Sequence, residues 1–165
     1  MLLETKNFGT LEIKEDKVIT FSQGIIAFEE MKRYILIENK DKENPIWWLQ
    51  SVDRSDLAFP TINPFYFKPD YEFDISASGV EELGIVEKED VIVLSIVVIP
   101  EDLKKMTANL LAPLIINVKT KKGKQLVLQD KNYTTKHYIF AELKKVLQNK
   151  EEEGCENAGA DEKEK

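Results

Sequence analysis

A proline stands in the middle of one of the most apolar stretches of this chain. Residues Thr107 to Asn117 read Thr-Ala-Asn-Leu-Leu-Ala-Pro-Leu-Ile-Ile-Asn, with six apolar residues around Pro113 and an asparagine near each end. Proline has no N–H to give a ladder, so strands hold it at edges, starts or bulges. The run is therefore expected to form an irregular strand over Leu110 to Val118. Asn109 and Asn117 carry amides able to satisfy backbone groups where regular pairing stops. Nothing in the stretch is a nucleophile, acid, base or metal ligand, which points to binding and away from catalysis.

The first two thirds of the chain repeat this β-like texture. Leu11 to Ile13 and Val18 to Phe21 flank a polar Lys14-Glu15-Asp16-Lys17 linker of hairpin length. Tyr34 to Ile37, Ile46 to Gln50 and Leu57 to Ile62 are further short strands. Trp47 and Trp48 point to opposite faces if they share a strand, so one is expected in the core and the other nearer the surface. Two prolines five residues apart, Pro64 and Pro69, bracket Phe65, Tyr66 and Phe67 in an extended loop. Ile75 to Leu83 fits a helix, with Asp74 or Ser76 as N-cap and Gly84 past its end.

Val91 to Ile99 lacks period-two alternation and reads as a strand covered on both faces. Pro100 to Lys105 reads as a helical turn started by Pro100. Thr120 to Gly123 is expected to turn the chain into a strand over Lys124 to Leu128, with Gly123 in the left-handed conformation. Ile139, Leu143, Val146 and Leu147 then place one apolar stripe on a C-terminal helix. Many short strands with Pro, Gly and Asn punctuation favour a mainly β fold, a small antiparallel barrel-like domain over residues 1–149. Closure would also remove exposed strand edges. Residues 150–165 hold no large apolar side chain and are expected to be an acidic, disordered tail.

Charge is distributed in blocks within a net −7. Asp70 to Asp90 carries −7, Lys119 to Asn149 carries +6, and the tail carries −4. A basic partner would be steered to the first block and an anionic one to the second. With 165 residues, 42% of them hydrophobic, the chain can bury a core of its own. Its longest apolar run has nine residues, far short of the roughly 20 that span a bilayer. The N-terminus has no basic and apolar signal pattern, and Cys155 has no second cysteine to pair with. These features favour a cytoplasmic protein without a membrane partner.

Enzyme patterns fail in turn. His137 is the sole histidine, and Cys155 falls in the tail, so nucleophile–base pairs have little to draw on. There is no phosphate-binding glycine loop, paired CxxC, HExxH or calcium loop, and no cofactor is expected. His137 reads as a packing or capping residue, and Ser95 as a buried hydroxyl. The aromatic loop beside the acidic block reads instead as a protein-docking site, since aromatic anchors carry much interface energy. Its expected contact residues are Tyr66, Asp70, Tyr71, Glu81 and Glu82. An alternative is direct RNA binding by Lys119, Lys121, Lys122 and Lys124. Against it stand the missing aromatic stacking platform and the eight acids upstream.

Four ordered blocks resemble the FliW family of flagellar assembly factors. Phe21-Ser22-Gln23-Gly24-Ile25-Ile26-Ala27-Phe28-Glu29 is similar to the family's Gly-Ile-Pro-Gly-Phe-Glu motif, with Ile26 and Ala27 in place of Pro-Gly. Trp48 to Asp53 with Leu57 to Phe59 forms the second block, and Asn63-Pro64-Phe65 to Pro69-Asp70-Tyr71 the third. Thr107 to Asn117 with Gly123-Lys124-Gln125 is the fourth. The resemblance implies a small β-barrel that binds flagellin. It also implies capture of the translational regulator CsrA once flagellin is exported, with relief of repression of flagellin translation. It implies no catalysis and no direct contact with nucleic acid.

Overall fold

A computed structural model of the chain describes residues 1–149. The tail expectation for 150–165, Cys155 included, lies outside the described residues. The strands in chain order are β1 Leu2–Thr5, β2 Gly9–Glu12, β3 Ile19–Phe21, β4 Arg33–Ile37, β5 Trp47–Ser51 and β6 Ala58–Ile62. They are followed by β7 Val91–Val98, β8 Thr107–Ala108, β9 Leu114–Asn117, β10 Lys122–Gln125 and β11 His137–Tyr138. Helix α1 spans Ala77–Leu83, and α2 covers 140–149.

Seven strands close a ring in the order β3-β4-β5-β6-β7-β9-β10 and back to β3. Every seam is antiparallel except the last, where β10 runs parallel to β3 with Gly123 opposite Phe21. The barrel that the strand pattern predicts is therefore present, closed by one parallel pair. Phe21, Tyr34, Leu49, Leu94, Leu114 and Ile116 fill its interior. β7 is long enough to serve two sheets. Val91 to Leu94 pair with β9, while Val97 and Val98 pair with β8, which carries β11 in turn.

Several local expectations are corrected. The segment 14–17 does not make a hairpin: Glu15–Lys17 form a 3-10 turn. β2 pairs instead with β1, with Leu3 opposite Leu11, and Ile13 N–H donates to Met1 O at 2.8 Å. That outer hairpin buries Leu3 and Ile13 against Ile35, an apolar side chain that the barrel wall turns outward. Pro100 starts no helical turn. The turn is Leu103–Lys105, where Asp102 Oδ1 accepts from Lys104 N–H at 3.1 Å. Pro113 falls immediately before β9 rather than inside it, because 109–113 bends between two strands. Asn109 Oδ1 holds that bend by accepting from Ala112 N–H at 2.9 Å.

Gly123 is not the left-handed residue of its turn; Lys121 is, at φ 58°. Glycine is needed at 123 for space. A Cβ there would stand 2.6 Å from the Phe21 ring, which lies over it inside the barrel. Neither tryptophan is fully buried. Leu49 takes the interior place, and Trp48 meets Phe8 edge-on at 5.7 Å. The C-terminal stripe fades along α2, with Val146 half-buried. Ile139 and Leu143 are buried, whereas Leu147 is exposed.

Candidate functional site

The surface chemistry collects on the connection from β6 to β7 and on the corner between β9 and β10. Asn63 begins the connection, its Oδ1 accepting from Phe65 N–H at 2.9 Å, and Pro64–Tyr66 form a 3-10 turn. Proline suits such a start because the first N–H of a helical turn has no partner. Phe67 turns inward, Tyr66 is half-buried, and Phe65 is the exposed member of the three. His137 stacks on Phe67 at 6.0 Å, and its Nε2 lies 2.9 Å from Glu142 Oε1, tying β11 to α2. Ser95 is buried, and its Oγ finds no partner among the described residues.

Tyr71 is only 3% exposed. Its hydroxyl donates to Leu110 O at 2.6 Å, and its ring packs edge-on against Tyr133 at 4.7 Å. Burial, with Tyr133 beside it, pushes its hydroxyl well above the ordinary tyrosine range. Of the expected contact residues, Tyr71 therefore holds the loop from beneath. Asp70 is exposed and pairs with Lys68 at 3.5 Å.

Helix α1 follows. Of the two N-caps the sequence offers, Ser76 is the one used, its Oγ accepting from Gly79 N–H at 3.1 Å. The helix therefore starts at Ala77 and not at Ile75, and Gly84 ends it at φ 66°, as the sequence predicts. Asn117 fixes the far end. Its Nδ2 donates to Leu83 O at 3.0 Å and Gly84 O at 3.2 Å, while its Oδ1 accepts from Lys119 N–H at 2.9 Å and Thr120 N–H at 3.3 Å. One buried amide thus joins the helix terminus to the β9–β10 turn. Glu81 faces solvent. Glu82 instead accepts from Lys124 Nζ at 2.7 Å and Ser22 Oγ at 3.3 Å. The hydrogen bond from Lys124 holds its carboxyl below the usual range.

The expected contact residues are thus spread over two elements, with Tyr66, Asp70 and Tyr71 on the loop and Glu81 and Glu82 on α1. The lysines of the RNA alternative are partly committed. Lys124 holds Glu82, and Lys119 lies 3.4 Å from Asp90. Among the described residues, no group of three His, Cys, Asp or Glu is placed to hold a metal ion, and no helix is long and apolar enough to cross a membrane.

A feature that the sequence reading missed lies beside the loop. A groove of about 680 Å³ runs between residues 72–76 and 126–133. Tyr133 joins its two walls by accepting Glu72 N–H at 3.0 Å. The walls are some fifty residues apart in sequence, and their one local signal was the acidic Glu72 and Asp74.

Together these features define a class: a small closed β-barrel with a largely apolar interior, most of whose exposed charged groups described above sit on the connections and the short helix outside it. The model of the family described as FliW protein matches residues 2–139. The chain is 53% identical to a flagellar assembly factor FliW of Alkaliphilus metalliredigens, over 88% of this chain and 90% of that one. It is 46% identical to a FliW of Caldicellulosiruptor saccharolyticus, covering 89% and 95%. A crystal structure of the flagellar assembly factor FliW superposes with a TM-score of 0.79 at 38% identity, covering 85% of this chain and 97% of that one. The chain belongs to the FliW family.

Proposed function

We propose that this protein is a cytoplasmic flagellar assembly factor that acts by binding and not by catalysis. It holds flagellin while flagellin is abundant. When flagellin is exported, the freed protein captures the translational regulator CsrA and relieves repression of flagellin translation. The observation that carries this reading is the family match over residues 2–139, shared with relatives named flagellar assembly factor FliW. Tyr66, Asp70, Glu81 and Glu82 are the contact residues in this reading, with Tyr71 supporting the loop below them.

The acidic segment from Asp70 to Asp90 supplies the electrostatics. Docked beside an RNA-binding protein, its carboxylates repel phosphates within about a Debye length, ~8 Å at physiological salt. RNA then leaves without direct competition for its site. Glu81 and Glu87 are both exposed and outside the Glu82–Lys124 pair, so replacing them spares the α1 anchor.

Co-purification from cells with flagellin export on and off tests the exchange. Flagellin should come down when export is blocked, and CsrA when it runs. Recovery of neither partner in either state sinks the reading. Glu81→Lys with Glu87→Lys should slow CsrA association and flatten its salt dependence. A gel shift with flagellin leader RNA should show no complex unless CsrA is added, and a shift by this protein alone would favour the lysine-rich hairpin instead.

A further inference from the structure

The groove between 72–76 and 126–133 combines three properties on one surface. Its lining includes apolar side chains, with Phe73 and Leu128 half-buried and Val127 58% exposed. Its rim is acidic. Glu72, Asp74 and Asp130 are exposed, no lysine or arginine lines the groove, and none of the three forms an ion pair among the described residues.

The third property is an unused strand edge. Leu126 N–H donates to Pro113 O at 2.9 Å, and Leu128 N–H donates to Leu111 O at 2.8 Å. These bonds carry the β9–β10 pairing past Gln125, in the same register. In an antiparallel pair, successive residues turn their N–H and C=O to opposite sides. Val127 and Gln129, both of which line the groove, therefore direct theirs away from the 111–113 segment. Neither residue has a backbone hydrogen-bond partner among the described residues.

We propose that this groove receives an extended, lysine- or arginine-bearing segment of a partner protein as an added strand. An open edge supplies main-chain hydrogen bonds to any extended chain, and the spaces beside it select alternate side chains. Here Phe73, Val127 and Leu128 receive an apolar side chain, and the three carboxylates receive the cations that flank it. The same three carboxylates repel a phosphate backbone, and Lys131, between Asp130 and Asn132, is not part of the lining. The groove is built from elements other than α1, so this assignment does not depend on which macromolecule the Glu81 face meets.

A fluorescein-labelled heptapeptide alternating lysine and valine is the probe, read by anisotropy and by amide NMR of the full chain. It should bind, and amide exchange at Val127 and Gln129 should slow by roughly tenfold or more at saturation. N-methylation of alternate peptide nitrogens should abolish binding, because the added strand loses its donors. Glu72→Lys with Asp74→Lys should weaken binding by roughly tenfold or more. Asp130→Asn keeps the oxygen that accepts from Asn132 N–H at 2.9 Å and should give a smaller loss with the fold intact. The proposal is overturned if the lysine–valine peptide fails to bind, if its N-methylated or glutamate-for-lysine counterpart binds equally well, or if the exchange at Val127 and Gln129 is unmoved.

Discussion

The barrel interior and the cluster outside β7 each bury a tyrosine, and they treat it differently. Inside the barrel, Tyr34 is wholly buried against Phe21, with Phe59 nearby, and its hydroxyl has no partner among the described residues. In the outer cluster, Tyr71 lies among Phe67, Leu110 and Ile139, with its hydroxyl bonded to Leu110 O. Barrel strands spend their backbone groups on one another, so the interior offers an aromatic side chain area and shape but few acceptors. The outer cluster packs a loop, β8 and a helix against β7, and bends in such segments leave carbonyls free. The first core is held by apolar packing; the second also needs specific polar ties.

The largest effect that separates the two is expected from Leu49→Ala. It opens a cavity within a closed ring that cannot collapse inward, at a cost of roughly 2–5 kcal/mol in chemical denaturation. Gly123→Ala tests the seam. Its methyl group meets the Phe21 ring, and overpacking there should cost about 1–3 kcal/mol. A neutral Gly123→Ala would mean that the ring moves freely, contrary to a tightly packed interior.

The tyrosine pair gives the sharpest contrast. Tyr71→Phe leaves Leu110 O buried without its donor and should cost about 1–3 kcal/mol, while Tyr34→Phe removes an orphaned hydroxyl and should be neutral or stabilising. Equal losses in the two variants would erase the distinction. Burial, aided by Asp53, pushes the Tyr34 hydroxyl up to about 12, and Tyr71 moves in the same direction. A raised tyrosine pKa contributes stability that is intact below pH 10, the unfolded value, and is lost as pH climbs through the folded value. Melting temperature should therefore fall above pH 10, and less steeply in Tyr34→Phe than in wild type.

The smallest effect expected is a gain. Ala27 sits at φ 75° in the turn where the family motif carries glycine. Ala27→Gly should stabilise by about 1 kcal/mol, the steric cost of a Cβ in that conformation. A loss on that substitution would show that Ala27 is held by contacts and not merely tolerated.

The blocks that resemble FliW prove to be corners as much as strands. Buried Gln50 donates from Nε2 to Ser51 O and Leu57 O, both at 3.1 Å, holding the 52–56 turn together. Ser51 Oγ accepts from Asp53 N–H at 3.2 Å and Arg54 N–H at 3.1 Å in the same turn. Asn63, Asn109 and Asn117 do comparable work elsewhere. Such signals are legible because an Asx or Ser side chain reaches backbone only a few residues away. Asn117 also shows where that legibility stops. Its bonds to Lys119 and Thr120 are local, whereas those to Leu83 and Gly84 span more than thirty residues. Of the candidate contact residues, Tyr71 and Glu82 could not be read as anchors for the same reason. Their partners, Leu110 and Lys124, are 39 and 42 residues along the chain.

The residue order alone determined that this chain makes short strands, that α1 stops at Gly84, and that its polar corners interrupt an apolar texture. Those properties depend on sterics and hydrogen bonds within a few residues. Only the folded chain decided that β2 pairs with β1, that β10 meets β3 in parallel over Gly123, and that distant acids and an open strand edge share one groove. Pairing between remote segments is set by which surfaces exclude water best together, a quantity that no local window contains.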